Sequence, residues 1–246
     1  MKVLLILPAK DEAANLPPLL AAIGRVRTAQ RLDLDVLVVD DGSSDETAAV
    51  ADTLTADYPY LALRRHPRNL GLGAAVRTGL DYARTNGYDA AALMDADLSQ
   101  DPADLPRLLA ALAAGADLVI GSRYVAGGGM EGVPAWRRAI SVAGNAVGRR
   151  ALGVPVRDMT SGYRLFRVGT LARFTLEEAG YGIQLEAVVK ARLAGLRLAE
   201  VPIVLRLRRH GASKLLYNAA FWRRYVDLFR RAWGWTHGPE RRHRRP

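Results

Sequence analysis

The sequence predicts an α/β fold with a mostly parallel, doubly wound sheet flanked by helices, and two observations carry that prediction. Short apolar runs rich in Val, Ile and Leu alternate through the first half with longer segments of helical periodicity, the pattern of parallel strands joined by helical crossovers. Those runs end in polar, largely acidic clusters: "PAKDE", "DDGSS", "DADLSQD" and "GSR". Sheets of this kind take ligands beyond the carboxyl ends of their strands. Packing alone would place apolar or turn residues there. One acidic strand end is an ordinary solvated loop, but several on one edge call for a ligand.

The elements follow in order. "VLLIL" (Val3 to Leu7) is a strand by length, with Pro8 its expected stop. Asn15 to about Val26 reads as a helix, and "DVLVVDD" (Asp35 to Asp41) as a second buried strand. "SSDETAAVADTL" opens the next helix with a capping box pairing Ser43 with Glu46. "LALRR" (Leu61 to Arg65) is a third strand, and "LGLGAAVRTGLDYARTNG" a helix closed by Gly87. "AALMD" (Ala91 to Asp95) is the fourth strand, Pro102 to Ala113 a helix, and "DLVIGSR" (Asp117 to Arg123) the fifth strand. Residues 1–215 are expected to form one domain, 216–235 an amphipathic helix and 236–246 a basic, disordered tail.

Half of the 246 residues are hydrophobic, enough for a sizeable core. The absence of cysteine excludes a disulfide scaffold, Cys-ligated zinc and thiol catalysis, and fits a reducing compartment. The apolar run after Met1 is five residues long before Pro8, Lys10, Asp11 and Glu12 interrupt it, so neither a signal peptide nor a membrane span is expected. Of the formal charge of +10, all lies beyond residue 205: from Arg206 onward there are 12 Lys+Arg against 2 Asp+Glu, leaving 23 of each sign before it. Such a segment suits anionic lipid headgroups or nucleic acid. Within it, "NAAFWRRYVDLFRRAWGW" (Asn218 to Trp235) places Arg223, Arg224, Asp227, Arg230 and Arg231 on one arc and apolar or aromatic residues on the rest. Packing on the domain explains that face, and so does insertion at a membrane surface.

Asp95 and Asp97 are two residues apart, so they can aim at one point if the strand continues that far. Two adjacent carboxylates repel, and a divalent cation neutralises them, with carboxylates and substrate phosphates forming the usual shell of Mg²⁺ or Mn²⁺. Asp40 and Asp41 face opposite sides of the preceding strand, so one is expected at the ligand while the other holds the Gly42-Ser43 turn or caps the next helix. His66, His210, His237 and His243 are scattered, with surface positions expected, and form no zinc site.

"PAKDEAANLPPLL", "VVDDGSSDET", "NLGLGAAVRTGL", "MDADLSQDP", "GSRY" and "DMTSGYRLF" occur in the order found in family-2 glycosyltransferases. The chain most resembles the branch that makes dolichol-phosphate or polyprenol-phosphate mannose, over roughly Lys2 to Leu215. The resemblance implies a GT-A fold, a nucleotide-sugar donor, a divalent metal and inverting transfer. It implies that Pro8, Ala9, Lys10, Asp11 and Glu12 border the nucleotide, with Glu12 near the base or ribose, and that Asp40 contacts the base side of the pocket. Asp95, Ala96 and Asp97 match the D-x-D motif: Asp97 as the direct metal ligand, Asp95 as a ribose or outer-shell partner. Relatives often carry Gln where this chain has Ser99, with Gln100 next, so Ser99 or a water completes the shell. Ser122 and Arg123, with Asp158, Ser161 and Arg164, resemble an acceptor-phosphate grip. Gln184 and Glu186 are further candidates, Glu186 equally a partner of a neighbouring Arg. "RRHGASKL" matches a basic loop whose Arg209, Ser213 and Lys214 close over the donor diphosphate.

The expected reaction is transfer of a hexose, mannose from GDP-mannose, to a polyprenyl phosphate at the cytoplasmic face of a membrane, with no nucleic acid involved. A lipid phosphate is already anionic near neutral pH and needs little general-base help, whereas a sugar hydroxyl would need one. The metal and Lys214 stabilise the leaving diphosphate. UDP-glucose as donor, or a glycan acceptor, is the alternative within the family. A dehalogenase-type phosphatase would want its D-x-D on an early strand, and a nucleotidylyltransferase a Gly- and Arg-rich loop where "PAKDEAANLPP" stands. A basic nucleic-acid-binding module accounts for the C-terminal charge but not for the acidic strand ends.

Overall fold

Alternate residues of the first strand, β1 (Val3–Ala9), enter opposite cores. Val3, Leu5 and Leu7 pack on one face of the sheet and Leu4 and Ile6 on the other, as the two-residue period of a strand buried on both sides requires. The computed structural model describes residues 1–208 and 219–237. After β1 come α1 (Leu16–Ala29), β2 (Leu34–Asp40), α2 (Thr47–Leu54), β3 (Leu61–Arg65), α3 (Leu72–Thr85), β4 (Ala90–Leu93), α4 (Leu105–Ala113) and β5 (Leu118–Ser122). The second half adds β6 (Gly129–Met130), α5 (Ala135–Leu152), β7 (Arg164–Arg167), α6 (Ile183–Leu193), β8 (Leu198–Pro202), β9 (Val204–Leu205) and α7 (Ala219–His237).

Seven strands form one sheet in the order β3-β2-β1-β4-β7-β5-β8, and β6 pairs with β9 in a small second sheet. All pairings in the large sheet are parallel except those of β7, which runs antiparallel between β4 and β5. The expected mostly parallel α/β sheet is present. The strand that separates its two parallel halves comes from "RLFR", too short and too charged to read as a buried strand.

Three local expectations are corrected. Pro8 does not stop β1, which pairs with β2 as far as Ala9. On the other side β4 pairs only as far as Leu93, so the N–H that proline lacks faces a neighbour that has already left the sheet. Ser43 and Glu46 form no capping box: α2 starts at Thr47 with Glu46 at its N-cap, and the Glu46 side chain makes no capping bond. The Asp45 carboxylate takes the Thr47 N–H instead, at 2.9 Å, and Ser43 Oγ accepts the Asp11 N–H at 2.9 Å, joining the loops after β1 and β2. The fourth strand ends at Leu93, so Asp95 and Asp97 lie on a loop rather than on one strand face.

α3, α6 and α7 cover one face of the sheet and α1 and α4 the other. Leu228 and Ala232 of α7 are buried in the first of these cores, with Phe229 and Trp235 packed against it. The C-terminal helix is therefore docked on the domain through part of its apolar face, while Trp233 stays about half exposed. No helix among the described residues is long and apolar enough to cross a membrane.

Candidate active site

The loops leaving β1, β2, β4 and β5 meet at the carboxyl edge of the sheet. Two of them hold non-glycine residues in the left-handed region, Asp11 (φ 52°) and Leu98 (φ 63°). Such strain survives only where surrounding bonds over-determine the backbone. Asp11 is fixed by its N–H on Ser43 and by its carboxylate, which accepts the Ser44 N–H at 2.7 Å and the Ser44 hydroxyl at 3.0 Å. Burial works against the charged form of Asp11, but the Ser44 bonds and Lys10 outweigh it and hold the carboxyl down to about 2.

Glu12, Asp95 and Asp97 gather in one pocket. Glu12 is buried; its N–H donates to Thr47 Oγ1 at 2.7 Å and its Oε2 accepts from Asn15 Nδ2 at 2.6 Å. Asp97 Oδ1 accepts the Ser99 N–H at 3.0 Å, the turn that places Ser99 beside it. Gln100 brackets Asp95: Nε2 donates to Oδ2 at 2.7 Å and Oε1 accepts the Asp95 N–H at 3.1 Å. Burial pushes the Asp95 carboxyl up to about 7, with the Asp97 charge adding to the rise and Arg123 and Arg208 opposing it. The pocket thus has a deficit of positive charge. Its donors are hard oxygens, Asp95 and Asp97 with Ser99 adjacent, a set suited to Mg²⁺ or Mn²⁺ completed by phosphate and water. Among the described residues no three acidic or histidine side chains form a ready-made metal cage. Mg²⁺ does not require one.

Asp40 and Asp41 divide their tasks. Asp41 holds the loop before α3, accepting from the N–H groups of Leu70 and Gly71 at 2.8 Å each and bonding His66 Nδ1 at 2.8 Å. His66 is therefore buried between Asp41 and Thr78 rather than on the surface. Fully buried Asp40 accepts the Ser43 N–H through Oδ1, so Asp40 rather than Asp41 holds the Gly42-Ser43 turn; among the described residues its Oδ2 has no hydrogen-bond donor and lies 3.4 Å from Arg65 Nε. With no exposed surface, Asp40 shapes the loop after β2, against the expected contact with the base. Pro8, Ala9 and Lys10 lead into this region from β1, and Ala96 is buried between the two aspartates.

Arg123 anchors the other half of the site. It makes a two-pronged pair with fully buried Asp158, Nε to Oδ2 and Nη2 to Oδ1 at 2.7 Å each, and donates to Thr160 Oγ1 at 2.8 Å. Burial would lower the guanidinium's affinity for its proton; Asp158 reverses this and raises it above its ordinary value. Asp158 is depressed in turn, Arg123 overcoming the effect of burial. Ser122 and Ser161 are buried next to this pair.

Other expected site residues have structural bonds here. Arg164 is fully enclosed, its guanidinium donating to the carbonyls of Ser161, Gln184 and Met159. It braces the turn carrying Asp158 and Ser161 and presents no surface to a ligand. Buried Glu186 accepts the N–H groups of Glu177 and Glu178 and pairs with Lys190 at 2.8 Å, a lysine rather than the expected arginine. Gln184 is buried at the start of α6. Arg209, Ser213 and Lys214 lie outside the described residues.

Three residues of the site were not found from sequence. Arg208 donates to Asp97 Oδ2 at 2.9 Å. Tyr181, 43% exposed just before α6, has its hydroxyl raised by partial burial, with the Asp95 charge adding to the rise. Gly162 lets Asp95 approach: a Cβ there would lie 2.8 Å from both carboxylate oxygens. "GYG" and "SGY" carried the signal, but only the fold brings them to the fourth strand.

A family model described as glycosyl transferase family 2 matches residues 4–174. The chain is 42% identical over 218 residues to the undecaprenyl-phosphate mannosyltransferase of Micrococcus luteus, covering 87% of this chain and 88% of that relative. It is 41% identical to the polyprenol monophosphomannose synthase of Mycolicibacterium smegmatis, with 87% and 81% covered. It is 36% identical to the dolichol-phosphate mannosyltransferase of Pyrococcus furiosus, covering 90% of this chain and 61% of that longer one. Among solved structures, glucosyl-3-phosphoglycerate synthase of Mycobacterium tuberculosis, in complex with Mn²⁺, UDP-glucose and phosphoglyceric acid, superposes with a TM-score of 0.70 at 22% identity, over 95% of this chain and 80% of that one. That likeness establishes the GT-A fold.

Proposed function

The chain belongs to glycosyl transferase family 2 and is a hexosyltransferase, and we propose that it transfers mannose from GDP-mannose to a polyprenyl phosphate with inversion. The observation that carries this reading is the pairing of two opposite environments at one sheet edge. The acidic pocket of Glu12, Asp95 and Asp97 suits a cation-bridged diphosphate, and Arg123 lies close enough to act on Asp95. A guanidinium suits an anionic acceptor.

In this reading Pro8 to Glu12 border the nucleotide, Asp40 sets the Ser43 turn beside them, and Asp97, Asp95 and Ser99 would hold Mg²⁺ or Mn²⁺. The chemistry such an ion supplies is Lewis-acid stabilisation of the diphosphate. Arg123, steadied by Asp158 and Thr160, orients the acceptor phosphate from beside Ser122 and Ser161. One phosphate oxygen attacks the anomeric carbon, the bond to the diphosphate breaks, and the nucleoside diphosphate leaves from the opposite face. Arg209 and Lys214 are assigned to the leaving diphosphate. The acceptor is an anion already, so no carboxylate base is needed.

A lipid acceptor places the enzyme at the cytoplasmic face of a membrane, held from the surface. Support comes from α5, which exposes Trp136, Ile140, Val142 and Val147 among arginines and is bonded to the Arg123 group. Asn145 Oδ1 accepts the Met159 N–H at 2.8 Å and its Nδ2 donates to Thr160 Oγ1 at 3.2 Å.

The test is transfer of radiolabelled mannose from GDP-mannose to a short polyprenyl phosphate with Mn²⁺ or Mg²⁺. Lipid-linked mannose of inverted anomeric configuration is expected, and Asp97→Ala is expected to lower the rate by about 100-fold or more. No lipid-linked sugar from GDP-mannose or UDP-glucose would sink the acceptor assignment; turnover of UDP-glucose alone would sink the donor.

A further inference from the structure

Asp97 has two carboxylate oxygens, and both are engaged. Oδ1 accepts the Ser99 N–H at 3.0 Å; Oδ2 accepts from Arg208 Nη2 at 2.9 Å. The same guanidinium reaches toward Glu12, with Nη1 3.9 Å from Oε1, and its side chain is three-quarters buried. The backbone holds it in place. The Arg206 N–H donates to the Ser99 carbonyl at 2.8 Å. The Arg206 guanidinium also pairs with Asp101 at 3.3 Å and Glu131 at 3.2 Å. The segment after β9 is thus laid along the loop from Asp95 to Asp101, and Arg208 points from it into the pocket.

Both oxygens through which Asp97 could bind a divalent cation are therefore already engaged, one of them by a guanidinium. We infer that Arg208 is an internal counter-cation: it competes with the metal for Asp97, and metal loading releases it toward the anionic diphosphate of the donor. This rests on the metal-dependent reading above. A divalent ion and a guanidinium on one carboxylate repel each other. Once displaced, Arg208 stands at the head of the basic "RRHGASKL" segment, and a freed guanidinium binds diphosphate oxygens strongly. Metal and nucleoside diphosphate then favour the same state, with Arg208 off Asp97, so each tightens the other through this residue. Arg208 is thus a donor-binding residue that pairs with Asp97 when no donor is present.

The experiment is a Mn²⁺ titration followed by electron paramagnetic resonance on the full chain, without nucleotide and then with GDP. It compares wild type with Arg208→Gln, Arg208→Lys and Asp97→Asn. Arg208→Gln is expected to bind Mn²⁺ about tenfold tighter than wild type, since it removes a charge-assisted bond that the metal must break. GDP should then tighten Mn²⁺ binding less in Arg208→Gln than in wild type, and Arg208→Lys should lie between the two. Asp97→Asn should lose the site. In wild-type protein, Mn²⁺ should also speed modification of Arg208 by phenylglyoxal, read by mass spectrometry, a measurement that does not depend on a variant folding. Equal or weaker Mn²⁺ binding in Arg208→Gln, or an Arg208 no more reactive with Mn²⁺, overturns the inference while leaving the metal reading intact. Mn²⁺ bound as tightly by Asp97→Asn as by wild type, or by none of the proteins, overturns both.

Discussion

Position 162 has no room for a methyl group, because a Cβ there would sit 2.8 Å from each oxygen of Asp95. Gln100 grips that carboxylate from the other side at 2.7 Å, so it cannot simply step back. Gly162→Ala is expected to weaken Mn²⁺ binding and transfer by about tenfold or more while the thermal midpoint moves by only a few degrees; unchanged Mn²⁺ affinity would refute the fit. Asp95 itself predicts a pH effect. Its folded carboxyl is raised to about 7 from 3.8, burial leading and Asp97 second. Between about pH 4 and pH 7 the folded protein therefore holds a proton that the unfolded chain has released, and metal-free stability falls as pH rises through that window before levelling above it. Asp95→Asn removes this titration. In chelator, its stability advantage over wild type should grow from pH 4 to pH 7, by on the order of a few kcal/mol, and excess Mn²⁺ should reverse the ranking. A pH-independent difference in chemical denaturation would defeat the assignment. At this scale the sequence shows which groups carry charge but not what surrounds them. Asp97 and Arg123, singled out from "MDADLSQDP" and "GSRY", lie on loops at the carboxyl edge of the sheet, whereas Arg164, equally prominent in "SGYR", turns out to be bonded to three carbonyls.

α6 illustrates how an element can serve the site without touching a ligand. Glu186 is buried in it and accepts two backbone N–H groups from the segment 177–178, while Lys190 one turn later supplies its counter-charge. The Glu178 carbonyl in turn accepts from Arg77 of α3, so a single carboxylate ties the chain leading into Tyr181 to two helices. Glu186→Gln leaves Lys190 its ion pair with exposed Glu177 at 3.0 Å but removes the buried one and weakens both N–H bonds. A loss of about 1–2 kcal/mol in unfolding free energy is expected, read by urea denaturation. A catalytic role would instead lower the turnover rate with stability intact. The elements of the first half were legible because each is local: a strand of period two, a helix of period 3.6, a glycine past the helix end. What escaped was set by neighbours distant in sequence. Pro8 stays in β1 because β4 ends early, Asp45 takes the cap that Ser43 was expected to fill, and β7 is a strand only because β4 and β5 leave a gap of its width.

Among the described residues, exposed arginines and exposed apolar side chains share α5 and α7, which pack together. The chain before Arg206 is neutral, so the charge of +10 arises beyond it. Exposed Arg223, Arg230 and Arg231 of α7, which packs against α5, belong to that part. α5 adds exposed Arg137, Arg138, Arg149 and Arg150 around Trp136, 55% exposed, and Val147, 65% exposed. The sequence singled out α7 as the amphipathic element, yet α7 spends Leu228 and Ala232 on the core. α5, which shows no clean stripe in sequence, is the more open of the two. It is also the helix bonded to the group that holds Arg123, through Asn145 and through Tyr124 and Ser141 at 2.6 Å. A polyprenyl chain lying in a bilayer would thus bring its phosphate to Arg123 past α5. Sedimentation with anionic vesicles should show binding that weakens as salt rises, since each surface arginine contributes about 1 kcal/mol that salt screens. Trp136→Glu with Val147→Glu should weaken that binding by about tenfold or more and slow transfer to vesicle-embedded acceptor, while turnover of a short water-soluble polyprenyl phosphate stays at the wild-type rate. Vesicle binding untouched by the double substitution would move the membrane face from α5 to α7; no vesicle binding by the wild-type chain would remove the surface-bound reading altogether.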